Sequence, residues 1–337
     1  MTKQETQIMK GVAVLLMIFL HLFNQMHNVE LCESFIYIGN MPFVYWLSAA
    51  TNPVSFFLIL SGYGMHFIHV RTESRDTHRW SRVAKLYLHW WVILALFTVP
   101  SFVYNGNYYT NYSQVVNNYT AFKTSWYAEG WFLFPFVCLS LLAPLLFKLT
   151  DKFKVRWILL VSFLVGTCTG FIVSRYGAKY LYNTPWLYDP FLIVHLTPSF
   201  IFGAMLQRTG FVYKVQQKCR TRWLWLALTT TVIIMCITRT AAWGPLYATT
   251  FIVLFLSAPR QQWVDKVLVH LGDHSMNMWL IHAWFCYYIF HDFVYSLRYP
   301  LVIYVVLVIV SLLCSYLVNA IFSFFTVICH RKCQNTK

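Results

Sequence analysis

Long apolar runs separated by short polar stretches dominate this chain. A run of about 20 apolar residues is what a helix needs to cross a hydrocarbon core of roughly 30 Å. The pattern predicts spans near Met9–Phe23, Pro53–Val70, Val83–Tyr104, Trp131–Lys148 and Val155–Ser174. Five more follow near Phe191–Gln207, Trp223–Thr238, Gly244–Ala258, Ser275–Phe293 and Pro300–Ile328. Several are short, which local thinning of the bilayer or neighbouring protein can accommodate. The short alternating segments of a transmembrane β-barrel are missing from the pattern. The expected fold class is therefore an all-α integral membrane protein of about ten transmembrane helices, a single polytopic unit over residues 1–337 with no soluble domain. The first apolar run lacks a small-x-small exit and ends near His21, so it reads as a retained span rather than a cleaved signal.

Composition agrees with this picture. Of 337 residues, 58% are hydrophobic and only 11% charged, too few charges for a water-facing surface of ordinary size. The formal net charge of +15 would suggest nucleic acid if it were clustered for that purpose, but its placement is topological. Twenty-one of the 26 basic residues fall at the N-terminus, in alternate connections or in the tail. Only Lys123, Arg175, Lys179, Arg239 and Arg298 lie on the other side. This bias places both termini in the cytoplasm and favours an even number of spans. The expected location is the cell membrane, multi-pass, with the lipid bilayer as partner and no nucleic acid.

The nine cysteines mostly sit inside apolar runs without metal-ligand spacing, and no metal site is expected. The longest external loop, about Asn105–Gly130, is rich in Asn and Tyr. Its Asn-x-Ser/Thr sequences at Asn111 and Asn118 matter only in a glycosylating compartment.

The residues that could carry chemistry begin with Lys10 and His21. Eleven residues turn a helix by about 1,100°, within about 20° of three full turns, so both side chains share a face about 16 Å apart along the axis. An ionisable group at depth in a span is a functional candidate unless it merely sits hydrogen-bonded at the interface. Arg75, Arg79, Arg82 and Lys85 form a basic stripe at helical spacing, suited to phosphates; Arg75 is the one most readily explained by topology alone. Ser275 and His282, seven residues apart, also share a helical face. His66, His69, His78, His89, His195, His270, His274 and His291 lie near expected span ends or connections and are read as interfacial.

KGVAVLLMIFLH (Lys10–His21) resembles the Arg/Lys-x10-His signature of the integral membrane acyltransferase family 3. FFLILSGYGM (Phe56–Met65), RWSRVAKLY (Arg79–Tyr87), WFLFPFVCLSLLAPLL (Trp131–Leu146) and LGDHSMNMWLIH (Leu271–His282) resemble further motifs of that family in the same order. Lys10 stands where Arg is commoner, keeping the charge without the planar fork. Glu129 lies near a position where many members carry a carboxylate, but its spacing to Trp126 and Pro135 differs, so no role is carried onto it.

The resemblance implies an O-acetyltransferase. Acetyl-CoA or another acyl-CoA would be a donor substrate approaching from the basic side, with no permanently bound cofactor. The acceptor would be a hydroxyl of a cell-surface or lipid-linked carbohydrate, met by the Asn- and Tyr-rich loop. His21 and Lys10 are the catalytic candidates, Arg79 and Arg82 the donor-binding ones, and His282 and Ser275 supporting ones. His21 would act as a general base or as a covalent acyl relay. The alternative is a proton-coupled carrier or flippase of a saccharide or small metabolite, although paired broken helices in two matching halves are not evident.

Overall fold

A capping box starts the first helix: the Thr2 hydroxyl accepts from the Glu5 N–H at 3.1 Å and the Glu5 carboxylate accepts from the Thr2 N–H at 2.6 Å. Two of the otherwise unsatisfied donors at the helix N-terminus are thereby paired. The computed structural model describes residues 1–72, 78–105, 111–182, 184–219 and 222–335, so Arg75 lies outside the described residues. In chain order the helices are α1 (Lys3–Phe23), α2 (Met26–Val29), α3 (Phe43–Ser48), α4 (Pro53–Arg71), α5 (Arg79–Asn105), α6 (Tyr112–Thr120), α7 (Leu133–Thr150) and α8 (Val155–Tyr176). Then come α9 (Pro185–Thr209), α10 (Phe211–Lys218), α11 (Trp223–Thr238), α12 (Gly244–Ser257), α13 (Gln262–Ala283), α14 (His291–Ser296) and α15 (Pro300–Asn335). Proline opens α4, α9 and α15, where its missing N–H costs nothing. The only strands among the described residues, β1 (Tyr37–Ile38) and β2 (Met41–Pro42), form a two-residue antiparallel hairpin.

The protein is an all-α membrane protein. Among the described residues, seven helical segments are long and apolar enough to cross a bilayer: Lys3–Phe23, Phe43–Arg71, Arg79–Pro100, Ala128–Thr150, Val155–Leu181, Trp186–Thr209 and Pro300–Phe324. The other three expected spans differ for physical reasons. Helices α11 and α12 have 16 and 14 residues, less than a full crossing requires. Helix α13 starts at Gln262 rather than near Ser275. Asp265, Lys266, His270 and Asp273 interrupt the apolar run there and hide the beginning of the helix from a hydropathy reading.

Two parallel helix pairs organise the bundle, and both are knit by glycine. A Cβ added to Gly11 of α1 would collide with the Leu268 carbonyl of α13, and one added to Gly272 of α13 with the Gln7 carbonyl of α1. In the second pair, a Cβ at Gly62 of α4 would strike the Phe200 carbonyl of α9, and one at Gly203 the Ile59 carbonyl. Such reciprocal bare positions let helix backbones touch, where dispersion rather than water exclusion must hold helices together. These are the two most extensive helix contacts in the molecule. Each fixes a register that recurs further along: His21 and His282 are 261 residues apart, as are Gly11 and Gly272, and His66 and Gln207 are 141 apart, as are Gly62 and Gly203.

The Asn- and Tyr-rich loop is largely a folded cap. Helix α6 lies over α5, whose Trp90 and Trp91 indoles donate to the carbonyls of Asn118 and Tyr119 at 2.9 and 2.8 Å. Asn118 is buried, its amide holding the Trp126 N–H and Ser125. This asparagine is therefore out of reach of a glycosylating enzyme in the folded state. Asn111 caps α6 by accepting from the Gln114 N–H.

Candidate active site

At one end of α1, a cavity of about 410 Å³ lies between α1, α5, α7 and α13. Lys10, Arg79, Arg82 and Lys85 line it, with Ser140, Asp273 and Ser275. The Asp273 carboxylate accepts from Gln7 at 2.8 Å, leaving the cavity with four cations to one acid. Arg79 gives one long bond to the Leu141 carbonyl, 3.5 Å, while its Nε is buried without a partner. A buried donor left unpaired costs free energy that an anionic ligand would recover. Ser275 donates to the Gly272 carbonyl at 2.8 Å and faces the cavity from α13. The expected donor-binding residues and Lys10 thus share one chamber.

His21 does not line that chamber. It stands three turns further along α1, and buried Val14 and Met17 fill the stripe between it and Lys10. The register of α1 against α13 brings it to His282 instead. His21 Nδ1 lies 3.1 Å from His282 Nε2, with the rings 4.8 Å apart and tilted by 61°. Sequence spacing had put both histidines at helix faces, but only the parallel glycine contact reveals that they meet.

Hydrogen bonding sets the tautomers. His282, fully buried, places Nδ1 at 3.1 and 2.8 Å from the carbonyls of Met278 and Trp279. Carbonyls only accept, so this nitrogen carries the proton and His282 Nε2 presents a lone pair. His21 Nδ1 faces that lone pair and also the Met17 carbonyl at 2.9 Å, so it too carries a proton. The lone pair of His21 therefore sits on Nε2, which has no hydrogen-bond partner among the described residues. Half-buried His21 is accessible to a reactant.

Three groups that sequence spacing left out complete the surroundings. Beyond His282, the helix widens into a π-type turn, Trp284–Tyr288, a distortion frequent at functional sites. It carries Tyr287, which donates to the His21 carbonyl, and Tyr288, which donates to Glu129 at 2.7 Å. Glu129 sits on the tight turn Ala128–Phe132, within electrostatic reach of His21. Its signal was an acid inside the aromatic stretch Trp126–Phe132, in a chain with only 11 acidic residues.

The family model described as an acyltransferase domain matches residues 5–320. The chain belongs to the acyltransferase-3 family. No curated protein and no solved structure matches it. The protein is thus a membrane acyltransferase, which favours the enzyme over the carrier.

Four of the acyltransferase's other histidines differ from expectation. His66, His69, His89 and His274 are buried rather than interfacial. His89 bonds Asn277 at 2.7 Å and His274 bonds Ser315 at 2.8 Å. His66 bonds Gln207 at 2.5 Å, and both His66 and His69 face Asp151, at 3.5 and 3.6 Å. Each is a satisfied polar group tying helices together, as buried polar atoms require.

Proposed function

We propose that this acyltransferase moves an acetyl group from acetyl-CoA to a hydroxyl of a cell-surface or lipid-linked carbohydrate, with His21 as general base. The observation that carries this reading is the directed imidazole pair. His282 is anchored to backbone carbonyls and holds His21 so that its only free lone pair, on Nε2, is presented for proton transfer. In the reaction, Nε2 takes the proton of the acceptor hydroxyl as that oxygen adds to the thioester carbonyl. Collapse of the tetrahedral intermediate breaks the C–S bond, and the departing thiolate recovers the proton from His21. The products are the acetyl ester and free CoA. His282 Nε2 and the Glu129 charge support the transient imidazolium.

The phosphates of the donor suit the chamber of Lys10, Arg79, Arg82 and Lys85, with Ser275 at its wall. Lys10 belongs to this donor end rather than to the reacting atoms, about 16 Å along the helix from His21. The thin, extended pantetheine arm of CoA spans that distance along the Val14–Met17 stripe. Unbranched Met17 has the rotational freedom to move aside.

Purified protein should be stabilised against heat by acetyl-CoA and should transfer its acetyl group to glycans of its own cell surface, read by mass spectrometry. His21→Asn should keep the stabilisation and lose about a hundredfold to ten-thousandfold in transfer rate. Near-normal transfer by that variant, at matched expression and thermal stability, removes His21 from the mechanism.

A further inference from the structure

At the His21 end of α1, opposite the basic chamber, a groove of about 350 Å³ opens between α1, α3, the start of α4 and the end of α11. Its α1 wall is Leu20 and Asn24, one residue before and three after His21. Tyr287, which bonds the His21 carbonyl, also donates to the Asn24 side chain at 3.3 Å. Tyr287 therefore links the α1 wall of the groove to the turn that carries His21.

Arg239 is the cation of this groove. Its guanidinium lies 4.8 Å above the Tyr45 ring and donates once to the Tyr45 carbonyl at 3.3 Å. No carboxylate pairs with it among the described residues. By contrast Arg298, at the same end of the bundle by its place in the chain, is paired with Glu33 at 3.6 Å. Arg239 also has a left-handed backbone, φ 49°, and so does Asn52, φ 32°, on the same groove. Two of the four non-glycine residues with positive φ among those described thus line one cavity. Side-chain-bearing residues in that region carry a cost that recurs at binding sites.

Stacking on Tyr45 and the bond to its carbonyl hold the guanidinium plane and leave further N–H donors for a bidentate partner. Around it, Asn24, Ser48, Thr51, Asn52 and Thr240 offer amides and hydroxyls, the groups that orient a hydroxylated ligand in a pocket. A second cavity of about 300 Å³ adjoins through Asn52 and carries Trp131, Tyr188 and His195. That leaves room for an acceptor larger than one ring.

We propose that this groove is the acceptor subsite, and that Arg239 reads an anionic group, carboxylate or phosphate, on a hydroxylated acceptor. The proposal rests on the acyl-transfer reading above for the word acceptor, but the anion site stands on its own geometry.

The test titrates the purified protein with methyl glucoside, methyl glucuronide and glycerol phosphate. Thermal stabilisation is followed first without donor, and acetyl transfer then with radiolabelled acetyl-CoA. One of the anionic probes should bind about tenfold to a hundredfold more tightly than the neutral glucoside, the worth of one charge-assisted contact. Which of the two does so identifies carboxylate or phosphate as the source. Arg239→Gly, which suits the left-handed backbone and so guards against misfolding, should collapse the preference towards unity. Arg239→Lys should keep part of it. Equal binding of all three probes by the unmodified protein, or a preference that survives Arg239→Gly, overturns the anion site. Arg239-dependent binding that brings no matching preference in transfer overturns its assignment to the acceptor. Failure to consume acetyl-CoA with any acceptor would strike the acyl-transfer reading instead, leaving the binding result to stand.

Discussion

The α1–α13 and α4–α9 pairs are built by the same device and end in opposite kinds of histidine. Both run parallel, both bring backbones together at reciprocal glycines, and both carry a histidine in register with its partner helix. On α4, His66 lies four residues, about 6 Å, from Gly62, and its ring is held between Gln207 and Asp151. Both of its nitrogens are engaged, so it has no lone pair to offer a reactant. On α1, His21 lies ten residues from Gly11, about 15 Å along the axis, between the groove-lining Leu20 and Asn24 in the chain. There one nitrogen is engaged and the other is left bare. A histidine within a membrane span is thus a weak sign of chemistry by itself; an unspent nitrogen on an oriented ring is a stronger one.

The largest effect that separates the pairs should come from the glycines. Gly272→Ala forces α13 off α1 and shifts His282 relative to His21. A displacement of about 1 Å near reacting groups can cost about a hundredfold in rate. Gly203→Ala disturbs α9 against α4 in the same way but should appear mainly as a lower Tm. Comparing kcat with thermal stability for both variants decides the matter. Equal loss of rate per degree of lost stability would erase the distinction.

Next in size is His282→Phe, which keeps ring volume and removes the acceptor for His21 Nδ1. A loss of about tenfold in kcat is expected if His282 acts only through His21. The same substitution in a His21→Asn background should then cost almost nothing, because residues acting as a unit are strongly non-additive. Additive losses would give His282 an independent role. Arg79→Ala should raise the KM for acetyl-CoA about tenfold while kcat changes little. An unaltered KM would reduce the stripe to a topological charge. Smallest is Asp151→Asn, which weakens the His66, His69 and Arg208 contacts on a half-exposed carboxylate. It should cost under about 1 kcal/mol of stability and leave transfer intact, as urea or thermal unfolding beside an activity assay would show.

Much of this was legible in advance, for reasons that also mark where legibility ends. Lys10 and His21 share a face because of the period of one helix, and Arg79 with Arg82 likewise, so local spacing sufficed to find them. The meeting of His21 with His282 depends on a contact between helices far apart in sequence. Only the bare faces of Gly11 and Gly272 announce that contact, and a lone glycine in a span has many meanings. Spacing alone does not assign Glu129, because a tight turn rather than a continuous helix positions it. The start of α13 was hidden because its first turns carry the exposed Lys266, His270 and Asp273, which lower the hydropathy of any window laid across them. The acceptor groove was invisible, since Arg239 looked like one more flanking charge until its stacking on Tyr45 was on view.

The pairing of α1 with α13 also has a consequence for how the protein is made. Helix α1 leaves the ribosome about 250 residues ahead of the partner it must find. At roughly 5–20 residues per second, α1 waits for about 12 to 50 seconds. Throughout that interval Lys10, His21 and the bare flank at Gly11 lack their final neighbours. Insertion machinery or transient contacts must shelter the segment meanwhile, and any premature partner offering a small-residue face competes for it. Truncated chains released before α13 should therefore be the preferred substrates of membrane quality control, whereas chains stalled just after it should already hold the imidazole pair together.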